Sequence, residues 1–147
     1  MAREEILKEI QDSLGKKIKK FYKKSDKRVY IDIEPKDLLE AVRLIFRQLG
    51  ARFNIASAID RHDGTEILYH FEFDKENVIV SIRIFSPERK HPEFDSITTI
   101  LPGAEWIERE MHELFGIDFK GHPNMRTLLL PDGWPKDKYP LRKDFKA

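Results

Sequence analysis

Residues 51–85, ARFNIASAIDRHDGTEILYHFEFDKENVIVSIRIF, decide the fold. Phe53, Ile55, Ser57 and Ile59 fall on every second position. Ile67, Tyr69, Phe71 and Phe73 do the same, and so do Val78, Val80, Ile82 and Ile84. Period two puts each set on one side of a half-buried strand. Asp63-Gly64 is a hairpin signal, because a tight turn needs a residue that tolerates positive φ, and polar residues 74–77 mark the second reversal. The stretch predicts a three-stranded antiparallel meander.

On the N-terminal side, Leu7, Ile10, Leu14, Ile18 and Phe21 recur every three or four positions, which predicts one amphipathic helix over residues 3–24 with Gly15 inside it. Lys16, Lys17, Lys19, Lys20, Lys23 and Lys24 crowd its C-terminal half, where cations suit the helix dipole. Val29, Ile31 and Ile33 alternate as a strand. Pro35 then opens a helix carrying Leu38, Leu39, Val42, Ile45, Phe46 and Leu49, which Gly50 closes.

On the C-terminal side, residues 86–93 have two prolines and no periodicity and read as a loop. A third helix starts near Pro102, with Ala104, Ile107, Met111, Leu114 and Phe115 as its apolar stripe and Gly116 as its stop. Glu105, Arg109 and Glu113 stand four apart, the spacing of an ion-pair ladder. No helix fits after Gly116. The remainder is nevertheless apolar (Ile117, Phe119, Leu128, Leu129, Leu130, Trp134, Tyr139, Leu141, Phe145), so it is an extended arm that needs a groove on its own domain or a neighbour's. The expected fold is α+β, with helices packed on a mainly antiparallel sheet in the order α-β-α-β-β-β, followed by a helix and the arm. Residues 1–93 form the α+β domain, and residues 94–147 the helix and partner-binding arm of the same structural unit.

Composition narrows the function. No apolar run approaches the ~18 residues of a membrane span, and the N-terminus has no secretory pattern, which points to the cytoplasm. The absence of cysteine excludes disulfides, thiolate catalysis and an iron–sulfur cluster held by this chain's own thiolates. A net charge of +1 gives no global pull toward nucleic acid, although the lysine run offers a local basic patch for nucleic acid or anionic lipid. Charged residues reach 36%, against about 25% in ordinary domains, and glutamine and asparagine are few, a thermophile-like bias.

The densest polar segment, residues 108–123 (EREMHELFGIDFKGHP), shows no chemistry of its own. His112, His122, Glu108 and Glu113 match no compact metal motif. Glu108 and Glu110 stand two apart on a helix and face different directions, so they do not pair as acid and base. No nucleophile elbow, phosphate loop or dinucleotide fingerprint is present.

Taken together, Glu108-Arg109-Glu110, Glu113, Leu114-Phe115, Gly116-Ile117, Gly121-His122-Pro123, Arg126, Leu128-Leu129 and Pro140-Leu141-Arg142-Lys143-Asp144 resemble the 30 kDa, or C-type, subunit family of respiratory complex I, the NADH:quinone oxidoreductase. They also resemble its short relatives in energy-converting membrane-bound hydrogenases and sulfur-reducing complexes. Met111-His112 and Thr127 depart from the commoner pattern. The resemblance implies a hydrophilic, non-catalytic subunit without a cofactor. It would dock on the large catalytic subunit and the small iron–sulfur subunit, in the peripheral arm on the cytoplasmic side of the membrane. Iron–sulfur clusters, with nickel–iron in the hydrogenase version, would lie in those partners. The expected docking residues are Trp106, Glu108, Arg109, Glu110, Glu113, Phe115, His122, Arg126, Trp134, Tyr139, Leu141, Arg142 and Asp144. Arginines would orient partner carboxylates or carbonyls, and aromatics would act as anchors.

Overall fold

The computed structural model describes residues 2–147. In chain order the elements are α1 (Arg3–Leu14), β1 (Ile18–Ser25), β2 (Arg28–Ile33), α2 (Leu38–Val42, continued by a wider π turn over Arg43–Gln48), β3 (Arg52–Arg61), β4 (Gly64–Phe73), β5 (Val78–Ser86), β6 (Glu93–Asp95), α3 (Glu105–Phe115) and β7 (Asp118–Lys120). The fold is α+β, with a mainly antiparallel five-stranded sheet in the order β1-β2-β5-β4-β3. The meander forms as the alternation requires. β2 joins it parallel to β5, Val29 opposite Val80 and Ile31 opposite Ile82, so the apolar positions of both strands share a side.

The chain divides into two compact units. The first, Met1–Ala56 with Ile67–Ile84, holds the larger core. Ile6, Leu7, Ile10 and Leu14 from α1, with Leu38, Ala41, Val42 and Ile45 from the α2 region, are buried together with the inward positions of β2, β4 and β5. The other side of these strands is polar: His70 bonds the Ser81 hydroxyl at 2.6 Å, and Arg83 reaches Asp32 at 3.2 Å and lies over the Tyr30 ring. In the second unit, Ser57–Glu66 with Phe85–Ala147, the buried apolar side chains are Phe94, Ile97, Ile100, Leu101, Ala104, Met111, Ile117 and Phe119.

Two element expectations are corrected. The first α-helix stops at Leu14, because Gly15 adopts φ 53° and ψ −122°, far from α-helical values; a short 3-10 turn over Gly15–Lys17 follows, and residues 18–25 are an edge strand. The helical spacing of Ile18 and Phe21 has a different origin. The β1–β2 register shifts between Ile18 and Lys20, and such a bulge places residues three apart on one side of the strand. The lysines thus line a sheet edge, where they discourage a further strand. Lys17, Lys19 and Lys23 pair with Glu40, Glu34 and Glu4. The second correction concerns β3, where Ile55 and Ile59 are exposed while Ala56 and Asp60 are buried. As the outermost strand β3 is not covered along its whole apolar side, and only Phe53 finds an aromatic partner, Phe71 at 5.5 Å.

Candidate functional site

The segment expected to carry function is built around α3. A Pro102–Ala104 turn leads into the helix, with Pro102 at a position that needs no N–H donor. Gly116 ends it in the left-handed region at φ 76°, its N–H bonded to the His112 carbonyl at 2.8 Å. The helix buries an unusual set of side chains. Ala104 and Met111 are apolar, but Glu108 is 0%, Glu113 5% and Arg109 6% exposed, while Ile107, Leu114 and Phe115 are only half-buried.

Buried charges require partners, and these find them on the chain's own arm. Arg109 donates Nε–H to the Arg126 carbonyl at 2.9 Å and Nη2–H to the Thr127 carbonyl at 2.6 Å. One turn further along, the Glu113 carboxylate accepts the backbone N–H groups of Leu128, Leu129 and Leu130, at 2.5–2.9 Å. A four-residue step on a helix advances about 6 Å, close to the length of two extended residues. Arginine and glutamate at that spacing therefore serve first the carbonyls and then the N–H groups of one passing strand. The expected ladder from Glu105 through Arg109 to Glu113 is replaced by this clamp, since an irregular chain offers backbone groups that must be satisfied.

The arm is held again further on. Leu141 N–H donates to the Leu114 carbonyl at 2.9 Å, occupying an acceptor the last helical turn leaves free. The Tyr139 ring lies against Gly116, where a Cβ would come within 2.8 Å of it. Arg142 donates to the Lys90 carbonyl at 3.0 Å and to both Asp144 oxygens at 3.2 and 3.0 Å. Lys143 N–H reaches the buried Asp60 carboxylate at 2.9 Å. Trp134 bonds the Lys138 carbonyl through Nε1 at 2.8 Å and stacks on Phe145 with centroids 6.4 Å apart.

These bonds engage mostly the backbone of the arm, and part of its apolar surface stays in water. Leu129 is 62% and Leu141 54% exposed, and Trp106, on the outer side of α3, is 67% exposed. Glu110 and Phe115 are half-buried, and Arg126 is exposed although its carbonyl is held. Of the expected docking residues, Glu110, Phe115, Trp134, Tyr139 and Arg142 are half-buried and Asp144 is exposed, and the others separate clearly. Glu108, Arg109, Glu113 and His122 are turned inward, while Trp106, Leu141 and Arg126 remain on the surface, joined there by Leu129. Asp60, Ser96 and Thr98 took no part in the expectation, yet all three are buried polar residues with partners. An acid out of step with the apolar positions of β3 was the one available hint, at Asp60.

Glu108 is held in a different way from its neighbours on α3. Its Oε1 lies 2.6 Å from the Ser96 hydroxyl and its Oε2 accepts Ile97 N–H at 2.8 Å. Burial pushes this carboxyl above the usual range; the bonds from Ser96 and Ile97, and the nearby His122, hold it back in part. Among the described residues, no three His, Asp or Glu side chains converge as a metal-ligand set, and no helix is long and apolar enough to cross a membrane.

The family model described as "Respiratory-chain NADH dehydrogenase, 30 Kd subunit" matches residues 31–147. The C-type subunit of NADH-quinone oxidoreductase from Mesorhizobium japonicum is 36% identical over 121 residues, covering 77% of this chain and 57% of that protein. Its counterpart from Chloroherpeton thalassium is 33% identical over 124 residues, 80% of this chain and 50% of that one. The chain spans about half the length of these curated relatives. Among solved structures, a chain of the membrane-bound sulfane sulfur reductase, an archaeal respiratory membrane complex, superposes with TM-score 0.84 at 22% identity, over 97% of this chain and 85% of that one. A trypsin-resistant fragment of Nqo5 gives TM-score 0.67 at 20% identity over 84% of this chain and 99% of that fragment. At such identities the two structures speak for the fold. The motif around α3, the fold and the match over residues 31–147 agree, and the chain belongs to the 30 kDa subunit family of respiratory-chain NADH dehydrogenase.

Proposed function

We propose that this chain is a non-catalytic subunit of a complex I-like membrane-bound oxidoreductase, docked on the large catalytic subunit beside the iron–sulfur chain. The observation that carries the reading is the arm. Arg109 and Glu113 hold its backbone, while Leu129 and Leu141, with Trp106 on α3, are presented to the outside. Leaving three large apolar side chains more than half exposed forfeits on the order of 1 kcal/mol each relative to burial. A permanent partner recovers that, and a clamped backbone lowers the entropy lost on association. Glu110 and Arg126 add charged groups on the partner-facing side.

The catalytic chemistry belongs to the partners. With no cysteine, the chain has no thiolates for a cluster, so the iron–sulfur clusters, and nickel–iron in a hydrogenase-type complex, are held by the large and small neighbouring subunits. The chain sits in the peripheral arm on the cytoplasmic side and meets the membrane only through the complex. The names of the curated relatives favour the quinone-reducing version. The sulfane sulfur reductase chain, which shares the fold over nearly all of this one, is compatible with the short version as well.

The test is affinity purification of the tagged chain from its native membranes in mild detergent. Recovery of a large metal-containing subunit with a small iron–sulfur subunit is expected, and recovery of the chain alone as a monomer overturns the reading. Replacing Trp106, Leu129 and Leu141 together by alanine weakens the association by at least about tenfold, as loss of clustered anchors does.

A further inference from the structure

Glu108 is too deeply buried to touch a partner, and its surroundings fit another role. We propose that Glu108 is a proton-binding site, loaded from solvent through the hydroxyls of Ser96 and Thr98. The three side chains form a chain of bonds: Glu108 Oε1 to Ser96 Oγ is 2.6 Å, Ser96 Oγ to Thr98 Oγ1 is 2.7 Å, and burial eases from Glu108 through Ser96 to Thr98, at 0, 4 and 8% exposure of the whole residues. Ser96 Oγ also accepts Thr98 N–H at 3.2 Å.

This arrangement satisfies both protonation states. With Glu108 ionised, the Thr98 hydroxyl donates to Ser96 and the Ser96 hydroxyl donates to Oε1. With Glu108 protonated, its O–H donates to Ser96, the Ser96 hydroxyl donates to Thr98 Oγ1, and the Thr98 hydroxyl turns to water. Ile97 N–H bonds Oε2 in both states. Loading conserves protons. One from solvent joins Thr98 Oγ1, the former Thr98 proton passes to Ser96, and the former Ser96 proton passes to Glu108. A buried carboxyl without such reversible donors would leave a polar atom unpaired in one state.

The titratable group facing Glu108 is His122, whose Nε2 lies 4.0 Å from Oε1. Nε2–H is donated to the Glu105 carbonyl at 3.0 Å, and Nδ1 accepts Asn124 N–H at 3.0 Å. Those two bonds use both ring nitrogens, so the imidazole has no N–H left to donate to Glu108. On the arm side of α3, Arg109 and Glu113 are occupied with the backbone. The role is independent of docking and holds in the free chain.

Carbon-13 NMR of the full chain labelled at the glutamate carboxyl, titrated from acid to neutral pH, tests the site. The Glu108 signal is the one missing from Glu108→Gln, or is assigned by through-bond correlation if that variant does not fold. Its midpoint is expected above those of surface glutamates in the same spectrum. Ser96→Ala removes a donor to the ionised form and raises the midpoint further. Thr98→Val removes the acceptor that the Ser96 hydroxyl needs only in the protonated form, and so lowers it. A Glu108 signal that titrates with the surface glutamates, or a shift absent or opposite in either variant, overturns the proposal. The smaller change, Thr98→Val, is enough if Ser96→Ala fails to fold.

Discussion

At the residue scale, the acids and the arginine of α3 act as backbone ligands. Glu113→Ala leaves three N–H groups of residues 128–130 without an acceptor, which loosens the arm by about 3 kcal/mol. Hydrogen exchange at those amides should then speed up roughly a hundredfold, while the amides of β4 and β5 keep their protection. Gly116→Ala combines a left-handed φ with a Cβ driven into Tyr139. About 1 kcal/mol comes from the backbone alone, and more from displacing the ring, so a lower melting temperature with a changed near-ultraviolet tyrosine signal is expected. Glu108 gives a pH dependence of definite sign. Folding raises its pKa, so its contribution to stability is full below the ordinary carboxylate range and is lost as pH rises through the raised value. Urea titrations should show Glu108→Gln gaining stability relative to the natural chain as pH increases from acid to neutral.

At the element scale, legibility follows how directly a side-chain pattern reports its surroundings. The strands β4 and β5 were plain, because Tyr69, Phe71, Val80 and Ile82 alternate and are all buried. Residues 18–25 misled, because a bulged edge strand reproduces helical spacing. The parallel pair β6 and β7 was invisible, since three residues are too few for a period and their pairing, Phe94 opposite Phe119, joins segments distant in sequence. The motif around α3 announced the family but not the direction its side chains face; Glu108 and Glu110 look alike as letters, and one is buried while the other is half-buried. The β6–β7 pair also decides where the chain can be cut. Truncation after Gly116 removes buried Ile117 and Phe119 and costs on the order of 3–6 kcal/mol, so the second unit should lose its cooperative thermal transition. Truncation after Lys120 spares both residues and should retain that transition at a lower temperature, a difference that differential scanning calorimetry resolves.

At the scale of the whole molecule, the chain satisfies the backbone of its own arm and leaves apolar side chains of α3 and the arm unsatisfied. The proposed docking follows from that division, and it separates two kinds of loss. Variants of Arg109 or Glu113 loosen the arm in the free chain, whereas variants of Trp106, Leu129 or Leu141 leave the free chain folded and affect assembly alone. Hydroxyl-radical footprinting of the isolated chain and of the complex purified from native membranes tests this most directly. The prediction is strong modification of Trp106, Leu129 and Leu141 in the free chain and protection of all three in the complex, with the amides of residues 128–130 protected from exchange in both. Equal modification of those three side chains in the two samples would contradict it.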